Sequence, residues 1–208
     1  AGFRKRCLAN VRKSVDFPIN DVKIKAQQLV LSLNGAAKLS MDSRELIKIL
    51  DLSYIDDKGS TTKYIFIEEK ITARDIVSIT IESIDEAIEI LPSDKVPEWL
   101  IMSMKDTNVE KVLRLIAKDS NSWVGIYRIF EVIENDIGAL TKYDWVTKTN
   151  IKRFTHSANS VTVSGDEARH GKETNEPPKN PMSISEAKAF ISQIIHSWLN
   201  EKIERKNG

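Results

Sequence analysis

The sequence predicts an α+β protein, in which a small N-terminal α+β region is followed by an all-α helical bundle. Two patterns indicate this division. Before residue 92, several short segments alternate apolar and polar residues or are rich in β-branched residues, as strands are. After Pro97, apolar residues recur at helical spacing instead. Because a helix seldom continues through proline, Pro92 and Pro97 are expected to bracket a hinge. The expected division is therefore a basic arm over 1–18, the α+β region over 19–92 and the bundle over 97–205.

The N-terminal region is predicted to contain three to five strands. Residues 22–25 alternate with a period of two, and residues 29–33 form a second apolar segment. Asn34 and Gly35 tolerate positive φ and so predict a turn after them. The clearest strand signal lies over 64–67. Two further predictions are a short helix capped by Asp42 or Ser43 and running to Leu50, and a strand followed by a helix over 75–91.

The bundle is predicted from residues that cap helices and from apolar residues at helical spacing. Asn108, Ser122 and Thr147 or Thr149 each precede a stretch with helical periodicity. Gly138 is expected to end the second of these helices in a left-handed conformation. Ser183 and Glu186 form a capping box that opens the last helix, after a long loop over 160–182. The apolar positions of that last helix are Ile184, Ala187, Phe190, Ile191, Ile194, Ile195, Trp198 and Leu199.

Composition limits the function. The 208 residues include 31 basic and 30 acidic ones, so any nucleic-acid binding must be local rather than driven by overall charge. The single cysteine, Cys7, excludes an internal disulfide framework and a cysteine-based zinc cage. With no long apolar run and no secretory signal, a cytoplasmic location and no membrane contact are expected. The basic arm could contact phosphate, although a solvated terminus explains it equally simply.

The first candidate site lies on the helix predicted to start at Thr147 or Thr149. Arg153, His156 and Asn159 follow one another at a spacing of three, so they share a helix face, whereas the neighbouring apolar residues can fill the core. Histidine can move a proton and arginine can hold a phosphate, a combination that suits RNA cleavage. The same trio could instead tie the long loop to the bundle by hydrogen bonds. Both interpretations stay open at this point.

The second candidate lies within the long loop. Arg169, His170 and Lys172 surround Gly171, and three basic groups together could bind an anion. Alternatively, Arg169 could simply pair with a neighbouring acid. No spacing typical of metal ligands or of a nucleotide-binding glycine loop is present, so no metal or other cofactor is expected.

Residues 122–199 resemble the C-terminal part of a group of uncharacterised bacterial proteins. The matching features include a motif over 153–159, RFTHSAN, and a motif over 165–172, GDEARHGK. More distantly, the helical region resembles HEPN domains, which are helical bundles of bacterial toxins and phage-defence proteins, often dimeric, many of them metal-independent RNases. The resemblance implies that Arg153 and either His156 or His170 would be catalytic. Asn159, Arg169 and Lys172 would then contact the substrate.

Two functions follow as expectations. In the first, the bundle binds RNA or a nucleotide and cleaves RNA, as a symmetric homodimer, while the N-terminal region recognises a protein partner or trigger. In the second, the chain is a non-enzymatic interaction or scaffold subunit of a bacterial regulatory or defence assembly. A metal-assisted hydrolase is a third, weaker interpretation.

Overall fold

The structure, a computed structural model, describes residues 19–41, 46–49, 51–55, 60–65, 95–165 and 179–207. Most of these residues are helical. In chain order the elements are α1 (Ile19–Met41), β1 (Asp51–Ile55), β2 (Thr61–Ile65), α2 (Val96–Ser103), α3 (Thr107–Asp119), α4 (Trp123–Ile137), α5 (Lys148–Asn159), α6 (Val161–Ser164) and α7 (Ile184–Asn207). A single 3-10 turn at Leu140–Lys142 follows α4.

The predicted N-terminal α+β region is wrong, because the two segments expected to be its first strands are one helix. Residues 22–25 and 29–33 both lie within α1, which packs against α3 and α2. The short alternation was misleading because a longer helical stripe runs through it. The residues of that stripe are partly or fully buried, namely Val22, Ala26, Val30, Leu33 and Ala37. Ile24 and Leu29, which suggested strands, are 52% and 41% exposed.

Asn34 and Gly35 do not form a turn either; both lie in the middle of α1. A Cβ built on Gly35 would lie 1.9 Å from the backbone oxygen of Leu113, so glycine lets α1 approach α3 closely here. The Asn34 side chain accepts from the Ile47 amide at 2.7 Å and donates to the Ile47 carbonyl at 2.9 Å. These two bonds tie the following segment to α1.

The helix expected up to Leu50 is also wrong over its described part, since residues 46–49 are neither helix nor strand. In the described part of the N-terminal region, the only sheet is a two-stranded antiparallel hairpin that pairs Asp51 with Ile65 and Ile55 with Thr61. The strand predicted over 64–67 therefore agrees with β2 as far as Ile65. The strand and helix predicted over 75–91, and Pro92, lie outside the described residues.

The predicted caps of the bundle are mostly confirmed. The Ser122 hydroxyl accepts from the Gly125 amide at 2.9 Å, and Thr147 accepts from Asn150 at 3.2 Å. Gly138 ends α4 with φ of 80°. The exception is α3, which is capped by Asp106 rather than by Asn108; the Asp106 carboxylate accepts from the amides of Asn108 and Val109.

The core of the bundle takes buried residues from α2, α3, α4, α5 and α7, and its aromatic cluster lies where α4, α5 and α7 meet. The Phe154 ring is completely buried and lies 5.2 Å from the Phe130 ring, 5.3 Å from Phe190 and 5.8 Å from Tyr127, measured between centroids. Aromatic pairs at these distances stabilise a core beyond the area that they bury. The stripe predicted for the last helix is confirmed from Ala187 to Leu199, where each of its residues is buried, while Ile184 is partly exposed.

Candidate functional site

Helix α5 carries the first candidate trio. Its Thr147 cap and its buried residues Ile151, Phe154 and Ala158 fix how the helix rotates against the core. Arg153, His156 and Asn159 consequently fall outside the buried stripe, as predicted. Arg153 and Asn159 are partly exposed, and His156 is exposed.

The Arg153 guanidinium is bonded to the segment that precedes α7. Its Nε donates to the carbonyl of Asn180 at 2.9 Å, and its Nη2 donates to the carbonyl of Pro181 at 2.9 Å. The same Nη2 also forms an ion pair with Glu186 Oε1 at 2.9 Å. Arg153 therefore joins α5 to the start of α7 in the way that the loop-anchoring interpretation requires.

Glu186 completes this contact from the side of α7. Its other carboxylate oxygen accepts from the Ser183 amide at 2.8 Å and from the Ser183 hydroxyl, which in turn accepts from the Glu186 amide at 3.2 Å. This is the predicted capping box. The backbone bond from Ser183, the Arg153 guanidinium and the Ser183 hydroxyl together lower the pKa of Glu186. The carboxylate is therefore held in its charged form by its neighbours.

Ser157 of α5 holds the same segment by a further hydrogen bond. The Met182 amide donates to the Ser157 hydroxyl at 2.9 Å, and that hydroxyl donates back to the Arg153 carbonyl at 2.8 Å. Ser157 is completely buried and Met182 is 3% exposed. Sequence reasoning did not select Ser157, whose small side chain gives no signal of a contact 25 residues away.

The Asn159 amide is bonded within its own helix. Its Nδ2 donates to the carbonyl of Thr155, one turn back on the same helix, at 2.8 Å. Its Oδ1 is buried and accepts no hydrogen bond from the described residues. The second candidate group, Arg169, His170 and Lys172, lies outside the described residues. Its meeting with Arg153 and His156 stays a prediction.

A shallow groove of about 510 Å³ lies beside this contact. We call it the Trp123 groove. Its lining includes Trp123, Val163, Pro181, Met182 and Ile184. Trp123 is 5% exposed and Tyr127 and Phe130 are also buried, so these three rings belong to the core rather than to an exposed stacking surface.

A charged cluster that sequence reasoning missed joins three helix ends. Lys202 on α7 contacts the carboxylates of Asp106 at 2.5 Å and Asp136 at 2.8 Å. Trp198 Nε1 and Asn108 Nδ2 also donate to Asp136, at 2.9 and 2.6 Å. Burial acts to raise the pKa of Asp136, but the bonds from Lys202, Trp198 and Asn108 outweigh it and the net pKa is lowered. The partners are far apart in sequence, so no local pattern indicates them.

His196 of α7 packs against α2. Its ring lies 5.5 Å from the Trp99 ring, which is 2% exposed. Burial lowers the pKa of His196, and the charge of Lys95 lowers it further. The neutral imidazole is therefore the form that suits this contact.

The described ranges contain no group of three or more His, Cys, Asp or Glu side chains placed to hold a metal ion. No helix within these ranges combines the length and apolar character needed to cross a bilayer.

Comparison of the chain with protein-family models, with curated proteins and with solved structures gives no match. The resemblance to a bacterial family and to HEPN domains rests on the motifs alone, and it stays a prediction.

Proposed function

We propose that this chain is a non-enzymatic interaction subunit that binds another protein, and that its α5 trio is part of the scaffold. The observation that carries the proposal is the bonding of Arg153. Its Nε and Nη2 donate three hydrogen bonds, two to backbone carbonyls and one to Glu186. An arginine in this state acts as a structural tie.

A phosphate group would have to compete with the Glu186 carboxylate for Arg153. Glu186 is held ionised by the capping box, so it would repel an incoming phosphate at close range. Disrupting this contact would also remove two hydrogen bonds that hold the start of α7. The near balance of 31 basic and 30 acidic residues supplies no general attraction for RNA that would offset the repulsion and the lost hydrogen bonds.

The outer face of α2 favours a protein partner. Trp99 and Met102 point into the core, whereas Pro97, Ile101 and Met104 follow one another at helical spacing on the exposed side. Ile101 is 51% exposed and Met104 is 70% exposed. A continuous exposed apolar stripe on a helix is typical of a surface that packs against a complementary apolar surface of another protein.

Site-specific photo-crosslinking tests the partner. A photoreactive residue is placed at Ile101 in the full chain, and a matched one at Glu131, which is exposed on α4. Both variants are expressed in cells of the source organism. We expect one discrete crosslinked protein from position 101 and none from position 131. Equal crosslinking from both positions, or none from position 101, would contradict the proposal.

A second experiment tests the alternative function, RNA cleavage, directly. Purified chain is incubated with labelled RNA, with and without divalent metal, beside a His156→Ala/His170→Ala double variant. We expect no cleavage above background from either protein. Cleavage by the wild-type chain that the double variant loses would overturn the non-enzymatic proposal in favour of the HEPN-like RNase.

A further inference from the structure

Residues 179–183 form a short segment, which we call the strap, that crosses α5 before α7 begins. Arg153 and Ser157 of α5 form hydrogen bonds to it. Arg153 donates to the carbonyls of Asn180 and Pro181, and Ser157 accepts from the Met182 amide. The strap is thus held by its backbone to α5, and it reaches α7 through Ser183.

The strap also forms one wall of the Trp123 groove. Pro181, Met182 and Ser183 line this space of about 510 Å³ together with Trp123 of α4 and Val163 of α6. Trp123 is buried in the core, so the bundle rather than the strap fixes its position. A displacement of the strap would therefore change the shape of this groove.

Most of the strap is exposed. Met182 is its one buried residue, whereas Lys179, Asn180, Pro181 and Ser183 are exposed. Segments with few buried apolar contacts and exposed hydrogen bonds open locally more easily than the global fold unfolds. An outward movement of the strap would break the Arg153 contacts and withdraw Met182 from the core cluster to which it belongs.

We propose that the strap is a movable flap that borders the Trp123 groove, and that the contact of Arg153 with Asn180, Pro181 and Glu186 is the latch that holds it in place. Arg153 is then a positioning residue. The Arg153 guanidinium is bonded to Glu186 of α7 and to two carbonyls of the strap. Releasing Arg153 frees the strap to pivot at Ser183, where α7 begins. This inference does not depend on the identity of any partner.

Hydrogen exchange of the full chain tests the latch, because two amides report on it directly. The Met182 amide is bonded to Ser157, and the Ser183 amide is bonded to Glu186. In Arg153→Gln we expect both amides to exchange about tenfold faster, since three bonds to the guanidinium are lost. Amides of α4 between Ile129 and Ile133 should keep their wild-type rates.

Arg205→Gln is the matched control. Arg205 forms an ion pair with Glu201 near the other end of α7, so its loss removes a similar charge contact away from the strap. We expect wild-type exchange at Met182 and Ser183 in this variant. The milder Arg153→Lys, which keeps the charge but cannot bridge both sides in the same geometry, should accelerate the two amides by an intermediate factor.

Two results would overturn the latch. Unchanged exchange at Met182 and Ser183 in Arg153→Gln would show that the strap does not depend on Arg153. A uniform acceleration across α4 and α7 in both Arg153 variants would show that Arg153 supports the whole bundle rather than a local flap.

Discussion

Replacing Gly35 by alanine should destabilise the protein, although the same change in most helices is stabilising. Alanine in a helix interior normally gains up to about 1 kcal/mol over glycine. At this position the new Cβ would lie 1.9 Å from the Leu113 oxygen and 2.6 Å from its carbonyl carbon. Reaching ordinary contact at 3.4 Å requires α1 and α3 to separate by about 1.5 Å, which loosens their whole contact.

The net effect follows from these opposing contributions. Overpacking on this scale costs about 3 kcal/mol, so after the gain in helix propensity we expect a loss of about 2 kcal/mol. For a chain of this size that corresponds to a melting temperature lower by roughly 4–8 °C. The measurement is urea and thermal unfolding followed by far-ultraviolet circular dichroism. Gln28→Ala, at an exposed position of the same helix, is the control and should change little. A Gly35→Ala chain as stable as that control would refute the close approach of α1 and α3.

The remaining predictions concern the charged groups. Lys202→Met should lower the free energy of unfolding by about 2 kcal/mol, measured by urea unfolding, because it leaves two neighbouring carboxylates without their cation. An unchanged free energy of unfolding would show that the cluster makes no net contribution to stability. Because the pKa of Asp136 is lowered, its contribution is complete above the ordinary aspartate pKa of about 3.9 and is lost as the pH falls through the folded value. The stability difference between wild type and Asp136→Asn should therefore shrink below about pH 4, and a constant difference would contradict the assignment. His196 has a lowered pKa, so the unfolded chain binds its proton more readily and wild-type stability should fall as the pH drops below about 6.5. His196→Phe, which keeps a ring against Trp99, should show a smaller fall over that range, and parallel unfolding midpoints for the two proteins would exclude His196 as the cause.

The parts of the fold that could be predicted from sequence are those decided by local contacts. The Ser122 and Thr147 caps and the Ser183–Glu186 box each involve residues three positions apart, so the sequence displays both partners together. The buried stripe of α7 extends over four turns, which makes its helical period unmistakable. These elements were predicted correctly.

The first helix was predicted wrongly because its local pattern favours strands. Segments of four or five residues with period-two alternation do not distinguish a strand from a helix, and packing against α3 decides the outcome. Gly35 shows the same ambiguity. Glycine after asparagine is typical of a turn, but here its missing Cβ serves a close helix contact, which depends on Leu113 in another element.

The candidate site was predictable only in part. Helical spacing was sufficient to place Arg153, His156 and Asn159 together outside the core. The partners of Arg153 lie 27 to 33 residues later in the chain. Asp106, one partner of Lys202, lies 96 residues earlier. No spacing rule reaches across such separations, so the sequence left the choice between a reactive arginine and an anchoring one open.

The two oxygens of the Asp106 carboxylate bond to different helices. One oxygen satisfies the first amides of α3, and the other receives the ammonium of Lys202 near the far end of α7. Fraying of the last turns of α7 would thus withdraw a counter-charge from the residue that starts α3, and unwinding of α3 would release Lys202. Two helix ends that are remote in the chain are consequently expected to melt and re-form as one cooperative unit.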